Sequence, residues 1–270
     1  MDIKELLKIA KSLNASDLHV VVDRPPMCRV HGRIMPFEDQ PFLTPEDIEQ
    51  ALEQVTSDTE RETFESNMEL DFGRTILDVG RVRFNAARQR GTISIVARLL
   101  PPEIPDLETL GLPDICRELI TRPRGLVVVS GPTGSGKSTT LASMINQLNK
   151  TQNRRVITIE DPIEYTYNNI NCTITQRELG SDTLSFSEAL RHVLRQDPDV
   201  ILVGEMRDLE TASAAITVAE TGHLVLTTGH APSASQAVER IINMFPPHER
   251  NLAQTRLASL LLGILCQALV

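Results

Sequence analysis

The most informative stretch of this chain is Gly131-Pro132-Thr133-Gly134-Ser135-Gly136-Lys137-Ser138. It fits the pattern G-x-x-x-x-G-K-[ST], in which backbone N–H groups wrap around phosphate oxygens. The apolar, β-branched run before it, residues 126–130, is typical of a buried strand, and residues 138–145 are typical of the start of a helix. This strand–loop–helix context predicts a phosphate site rather than a glycine-rich turn that matches the pattern by chance.

Two side chains at the end of this stretch have the chemistry that a nucleoside triphosphate requires. Lys137 can neutralise the β- and γ-phosphates, and the Ser138 hydroxyl can coordinate Mg²⁺. The predicted nucleotide-binding residues are Gly131, Pro132, Thr133, Gly134, Ser135, Gly136, Lys137, Ser138 and Thr139.

The composition is typical of a soluble globular protein. The chain has 270 residues, of which 41% are hydrophobic and 23% charged, enough for one large domain or two ordinary ones. Its net charge of −9 argues against a nucleic-acid partner, which usually requires a clustered basic face. The four cysteines are far apart and form no C-x-x-C pair, so we expect reduced thiols rather than a disulfide framework or a zinc site.

Both ends of the chain carry apolar patterns. Residues 3–13 show helical spacing and predict an amphipathic helix without the apolar core of a signal peptide. The run 257–266 is too short to span a bilayer and predicts a buried helix. Because the chain stops at residue 270 without a cap or polar tail, we expect a C-terminal part of the second domain to be missing.

Three prolines at positions 101, 102 and 105 predict a break between two domains. We expect an α+β domain over residues 1–100, a linker over 101–109 and an α/β domain over 110–270. In the second domain apolar strands alternate with helices, which predicts a mostly parallel sheet with helices on both faces. The predicted strands are 126–130, 155–160, 200–204 and 223–228, and the predicted helices are 138–149, 185–195, 208–220 and 233–243.

An acidic residue follows the predicted strand 200–203. Phosphate-loop enzymes usually carry an aspartate there to help hold Mg²⁺, often with a glutamate beside it. This chain has Gly204 and then Glu205, so Glu205 is the available carboxylate for the metal, the attacking water or both. A solvated glutamate at a strand end is the alternative.

A second acidic cluster follows the predicted strand 155–160. A carboxylate near the γ-phosphate can accept a proton from water or fix its orientation. Glu164 is the first choice for that role, and Glu160 and Asp161 are expected nearer the metal. An ordinary acidic turn would explain the same residues, but a position at the end of a strand of the same sheet favours a site.

Histidine and arginine residues complete the candidate set. His230 ends a predicted strand and can contact the γ-phosphate, although a histidine there is more often structural. Arginine binds phosphate bidentately and can stabilise phosphoryl-transfer charge from a neighbouring subunit; solvated surface charge is the alternative. The arginines considered are Arg81, Arg83, Arg88, Arg90 and Arg98 in the first domain and Arg191 and Arg195 in the second.

Four motifs together resemble those of the secretion-type traffic ATPases. They are residues 131–138, the acidic box 159–165 (IEDPIEY), the Walker B segment 202–208 (LVGEMRD) and a histidine box that ends at His230. The resemblance covers nearly the whole chain and implies a PAS-like first domain, a RecA-like second domain and a hexameric ring with ATP and Mg²⁺ between subunits. It also implies that Arg83, Arg98, Arg191 and Arg195 reach the nucleotide. The histidine box departs from the family pattern, since Ala231 and Pro232 follow His230.

Within that family the chain resembles the motors that retract type IV pili. The resemblance implies an ATPase at the cytoplasmic face of the inner membrane, acting in twitching motility with a pilus platform protein and touching the membrane only through partners. A related pilus-assembly or type II secretion ATPase is one alternative. A nucleotide-gated docking module without turnover is another.

Overall fold

The computed structural model describes residues 1–100 and 103–269. Its chain contacts divide it into two compact units, Met1–Pro102 and Glu103–Val270. Part of the expected linker, residues 101 and 102, lies outside the described residues, and residues 103–109 fall in the second unit. The two units are described separately below.

The first unit is an antiparallel sheet with helices. The sheet order is β3-β2-β1-β6-β5-β4, and every pairing recorded between these strands is antiparallel. The elements are α1 Ile3–Ser12, β1 Asp17–Val20, β2 Met27–Val30, β3 Arg33–Pro36, α2 Pro45–Glu53, α3 Asp58–Asn67, β4 Glu69–Ile76, β5 Gly80–Gln89 and β6 Thr92–Leu99. This mixture of helices and antiparallel strands has the α+β character expected from the sequence.

The core of the first unit forms where amphipathic helices cover the sheet. The N-terminal helix predicted from its spacing is confirmed as α1, which buries one apolar face made of Ile3, Leu6, Leu7 and Ala10. Alternating residues of β5 and β6 are buried in the same core, as expected for strands with one covered face.

The second unit is built on six parallel strands. The sheet order is β12-β7-β11-β10-β8-β9, and its recorded pairings are all parallel, which confirms the expected α/β class. The elements are α4 Ile115–Thr121, β7 Gly125–Ser130, α5 Lys137–Thr151, β8 Arg155–Glu160, β9 Thr173–Glu178, α6 Phe186–Val193 with a 3₁₀ turn Leu194–Gln196, β10 Val200–Val203, α7 Leu209–Glu220, β11 Leu224–Gly229, α8 Ala234–Asn243, α9 Arg250–Leu260 and β12 Leu261–Cys266.

The order of the strands brings the loops that carry the candidate residues to one edge of the sheet. Because the strands are parallel, their carboxyl ends lie at one edge of the sheet, where ligands bind in open α/β folds. β7, β8, β10 and β11 are apolar and buried over most of their length and lie side by side. The loops that follow them therefore meet at that edge.

The helix predicted over residues 257–266 is wrong beyond Leu260. Helix α9 ends at Leu260, and Leu261–Cys266 forms strand β12, which pairs with β7 in parallel register. A short apolar run has no periodicity that separates a strand from a buried helix, so the free edge of β7 decides its conformation. Strand β9, which the sequence did not predict, pairs with β8 on the side away from β10.

None of the described helices is both long and apolar enough to cross a bilayer.

Candidate active site

The loop between β7 and α5 has the geometry of an anion cradle. Gly136 precedes the first residue of α5 at φ +85°, and Gly134 has φ +80°, so both occupy the left-handed region that favours glycine. The N-terminus of α5 faces the loop, and helix N-termini attract anions. In this structure the Nζ of Lys137 donates to the carbonyl oxygens of Gly131 and Pro132, each at 2.9 Å.

Gly131 is required by close packing on its other side. A Cβ at this position would lie 2.2 Å from the carbonyl oxygen of Gln267 and 2.7 Å from the Oγ of Ser135. Gln267 follows β12, and its backbone N–H donates to the carbonyl oxygen of Ser130 at 2.8 Å. The segment after β12 therefore packs against the back of the loop, a contact that no local sequence signal indicated.

A cavity of about 380 Å³ opens beside this loop at the carboxyl edge of the sheet. Its lining brings together most of the candidate residues: Thr133, Gly134, Gly136, Lys137, Ser138, Thr139, Glu160, Asp161, Glu164, Glu205 and His230. The remaining loop residues Gly131, Pro132 and Ser135 do not line it. The structure thus gathers groups from distant parts of the sequence into one place.

The lysine of the loop lies under opposing electrostatic influences. Lys137 is 9% exposed, and burial lowers the pKa of its ammonium group from the usual value. The carboxylates of Glu164 and Glu205 oppose this effect by raising the same pKa. Two acidic residues therefore lie close enough to the Lys137 ammonium to influence its charge.

Glu205 is held between two cationic or potentially cationic groups. Its Oε1 accepts an ion-pair contact from Arg207 Nε at 2.5 Å, and its Oε2 lies 3.5 Å from Nε2 of His230. The side chain of Glu205 is only 12% exposed. His230 thus contacts a carboxylate of the cavity despite the altered residues that follow it, and Arg207 is a contact that the sequence analysis did not single out.

The glycine that replaces the usual aspartate before Glu205 has a packing reason. A Cβ at Gly204 would lie 3.2 Å from the carbonyl oxygen of Ile159 and 3.4 Å from Cα of Glu160. Both neighbours are backbone atoms of β8, which pairs with β10 and cannot move far without breaking the sheet. The close approach of these two strand ends favours glycine.

We expect Gly204→Asp to lower the free energy of unfolding by about 1–3 kcal/mol, the usual cost of overpacking. Gly204→Ala is the matched control and should lose less, because it adds only the Cβ. Urea unfolding of both variants measures the difference. A Gly204→Asp protein as stable as the wild type would show that β8 yields to the added side chain.

Glu160 occupies a different environment from the other acidic residues. Burial raises the pKa of its carboxyl group to about 7, opposed by hydrogen bonds from Thr158 and Gln176 and reinforced by Glu164 and Glu178. The Oγ1 of Thr158 donates to its Oε1 at 2.6 Å. Glu160 still lines the cavity, and its place near the metal stays a prediction.

Glu164 lies on an irregular segment between β8 and β9. The segment begins with a cis peptide bond between Asp161 and Pro162. Tyr165, which follows Glu164, is 7% exposed, and its hydroxyl is 3.0 Å from Oγ1 of Thr139 on α5. Tyr165 therefore connects the segment that carries Glu164 to the helix that follows the phosphate loop, a link that the sequence analysis did not predict.

The candidate arginines lie outside the cavity lining. Arg191 on α6 and Arg195 in the 3₁₀ turn are exposed, and Arg191 faces a separate groove with Leu190 and Leu209. In the first unit, Arg83 and Arg98 are exposed, and Nε of Arg98 donates to Oδ1 of Asp17 at 2.8 Å. A direct role of these arginines in a nucleotide site stays a prediction.

The described residues hold no group of three or more His, Cys, Asp or Glu side chains arranged to bind a metal ion. A Mg²⁺ site of the phosphate-loop type needs only one or two protein oxygens, together with water and phosphate. Ser138 and Glu205 line the same cavity and offer a hydroxyl and a carboxylate oxygen.

Comparison with known proteins decides the family. The model of the family described as Type II/IV secretion system protein matches residues 3–270. The chain belongs to this family. The resemblance expected from the four motifs is confirmed.

Individual relatives match over the whole chain. The type IV pilus retraction ATPase PilT of Pseudomonas aeruginosa is 43% identical over 270 residues, which are 100% of this chain and 78% of PilT. The type IV pilus ATPase PilU of the same organism is also 43% identical, over 100% of this chain and 70% of PilU. A crystal structure of the pilus retraction motor PilT with bound ADP superposes with a TM-score of 0.94 at 47% identity, covering 98% of this chain and 77% of that one.

Proposed function

We propose that this chain is an ATP-hydrolysing motor subunit that drives retraction of type IV pili. The observation that carries the proposal is the cavity lined by the phosphate loop, Glu164 and Glu205. All of this chain matches the retraction ATPase PilT. The ADP bound to PilT supports a nucleotide as the occupant of the corresponding place here.

The loop and α5 hold the phosphates. Two carbonyl contacts within the loop hold the charge of Lys137 near the site before a nucleotide binds. On binding, Lys137 exchanges these contacts for phosphate oxygens. The backbone N–H groups of residues 133–139 and the N-terminus of α5 supply the remaining donors. The low exposure of Lys137 strengthens the electrostatic attraction, since less water screens it.

Ser138 and Glu205 would hold Mg²⁺ together with water. When bound, the ion neutralises charge that develops on the phosphates. Glu205 takes the part of the missing aspartate because it comes from the same strand end and lines the same cavity. Its contacts with Arg207 and His230 orient the carboxylate. Glu160 and Asp161 stay candidates for the metal shell, since both line the cavity.

Glu164 is the group that we assign to the attacking water. It lines the same cavity as Lys137, and its charge raises the pKa of that lysine. A carboxylate in this position accepts a proton from water or fixes the water in line with the phosphorus. Glu160 accepts hydrogen bonds from Thr158 and Gln176 and takes no proton from water in this scheme.

The proposal includes a homohexameric ring and a pilus platform protein as its partner. We place the ATP site between subunits of a homohexamer, with Arg83, Arg98, Arg191 and Arg195 as the charges that complete it. The exposure of these arginines supports a role toward another subunit. The motor would act at the cytoplasmic face of the inner membrane on a pilus platform protein, which links it to the membrane.

A twitching assay tests the proposed function directly. The full chain is expressed in a piliated bacterium that lacks its own retraction ATPase, and we expect twitching zones to reappear. The purified chain should release phosphate steadily from Mg²⁺–ATP. Turnover with more surface pili and no twitching would favour an assembly motor, and the absence of turnover in a chain that binds ATP would favour a nucleotide-gated docking module.

A further inference from the structure

Two neighbouring side chains of strand β9 reach across to the segment that carries Glu164. Gln176 and Glu178 are two positions apart and therefore point to the same face of the sheet. Both bind backbone groups of residues 163–167, on either side of Glu164. We propose that Gln176 is a positioning residue for ATP hydrolysis, holding the backbone next to Glu164 so that its carboxylate faces the cavity. This inference rests on the proposed function.

The carboxamide of Gln176 both donates a hydrogen bond to the segment and accepts one from it. Its Nε2 donates to the carbonyl oxygen of Tyr165 at 2.7 Å, and its Oε1 accepts from the backbone N–H of Tyr167 at 3.0 Å. Nε2 also lies 3.3 Å from Oε1 of Glu160. An amide carries one acceptor oxygen and two donor hydrogens on one planar group, and all three functions are used here.

Glu178 binds the backbone on the N-terminal side of Glu164. Its Oε2 accepts from the backbone N–H of Ile163 at 2.9 Å, and the residue is 4% exposed. The backbone groups of both residues adjacent to Glu164 are therefore fixed by β9, at Ile163 by Glu178 and at Tyr165 by Gln176. The strand acts as a rigid base because it pairs with β8 along its length.

This support is required because the segment has no regular structure of its own. Residues 161–172, all of them described, contain no helix or strand. Its backbone polar groups thus have no ladder to order them. Side chains of β9 bind them over residues 163–167, and Asn149 of α5 binds those farther along. A displacement of about 1 Å of a group that positions the attacking water costs about 10²-fold in rate. A purely structural role would instead appear as lost stability and lost nucleotide affinity together.

The test compares two variants of Gln176 with a control from the same strand. Gln176→Met keeps the size and removes all three hydrogen-bonding functions, while Gln176→Glu keeps an acceptor for Tyr167 and loses the donors. Thr175→Val is the control, because it faces the other side of β9. Steady-state ATP turnover, the affinity for Mg²⁺–ADP and the melting temperature are measured for each full-length protein.

We expect Gln176→Met to lower kcat by about 10-fold to 10²-fold while the Mg²⁺–ADP affinity changes by less than about 3-fold. Gln176→Glu should also lose turnover, and it remains informative if the methionine variant fails to fold. Thr175→Val should match the wild type. Combining Gln176→Met with Glu164→Gln should add no further loss, because the first residue acts through the second.

Three results would overturn the inference. They are an unchanged kcat in both Gln176 variants, a loss of ADP affinity equal to the loss of turnover, and full additivity with Glu164→Gln. A wild-type chain without ATP turnover would instead contradict the proposed function. The two failures are therefore distinguishable in one set of measurements.

Discussion

Lys137→Ala is expected to abolish steady phosphate release, with kcat/KM for ATP falling by about 10³-fold or more. The ammonium group is the one cation that the phosphate loop itself supplies to the cavity, and it is held there by the carbonyl oxygens of Gly131 and Pro132. Losing a preorganised charged donor at a developing negative charge costs about 10²–10³-fold in rate, and the weaker binding of the phosphates adds to that loss. Phosphate release measured over a range of ATP concentrations gives the value.

The control for this prediction lies on the same helix. Lys150→Ala removes a lysine from the last turn of α5, where it pairs with Asp106 at an exposed position. Exposed ion pairs contribute little, so turnover should stay within about 2-fold of the wild type. Comparable losses in both variants would mean that charge on α5 in general, and not its place in the loop, supports activity.

Glu164→Gln should keep nucleotide affinity and lower kcat by about 10²-fold or more. Glutamine fills the same volume and can still touch the attacking water, but it cannot accept a proton from it. Because the change removes an interaction that matters in the transition state, kcat and kcat/KM should fall together. Single-turnover phosphate release and the binding of a fluorescent ADP analogue measure the two quantities separately.

Glu118→Gln is the matched control, since it makes the same chemical change on the exposed face of α4. It should leave both quantities unchanged. If Glu164→Gln retains full turnover, the role of activating water moves to Glu205, the other carboxylate whose charge reaches Lys137. That result would also contradict the positioning role inferred for Gln176.

Much of the site was predictable because its parts are encoded locally. The phosphate loop, the strand before it and the helix after it follow from consecutive residues, and the order of strands and helices predicts a parallel sheet. In such a sheet the strand ends meet at one edge, so the order of the elements is enough to expect Glu164, Glu205 and His230 near the loop. The structure confirms the sheet and places all three in one cavity with Lys137.

Contacts between distant residues were not predictable from the sequence. Neither periodicity nor spacing indicated that Gln176 and Glu178 would hold the segment around Glu164, because β9 itself carries no strong strand pattern. The apolar run that became β12 was assigned to a helix for a related reason: the free edge of β7, not the local sequence, selects its conformation.

The sequence by itself determined that this chain binds nucleotide phosphates on a parallel sheet, because a phosphate loop and alternating strands and helices are properties of short, consecutive segments. The tertiary structure alone decided how each acidic residue can act. Burial and hydrogen bonds set Glu160 apart from Glu164, and Arg207 and His230 fix Glu205. Charge, solvent exposure and orientation depend on which groups meet across the fold, and the close approach of β8 and β10 favours glycine at position 204.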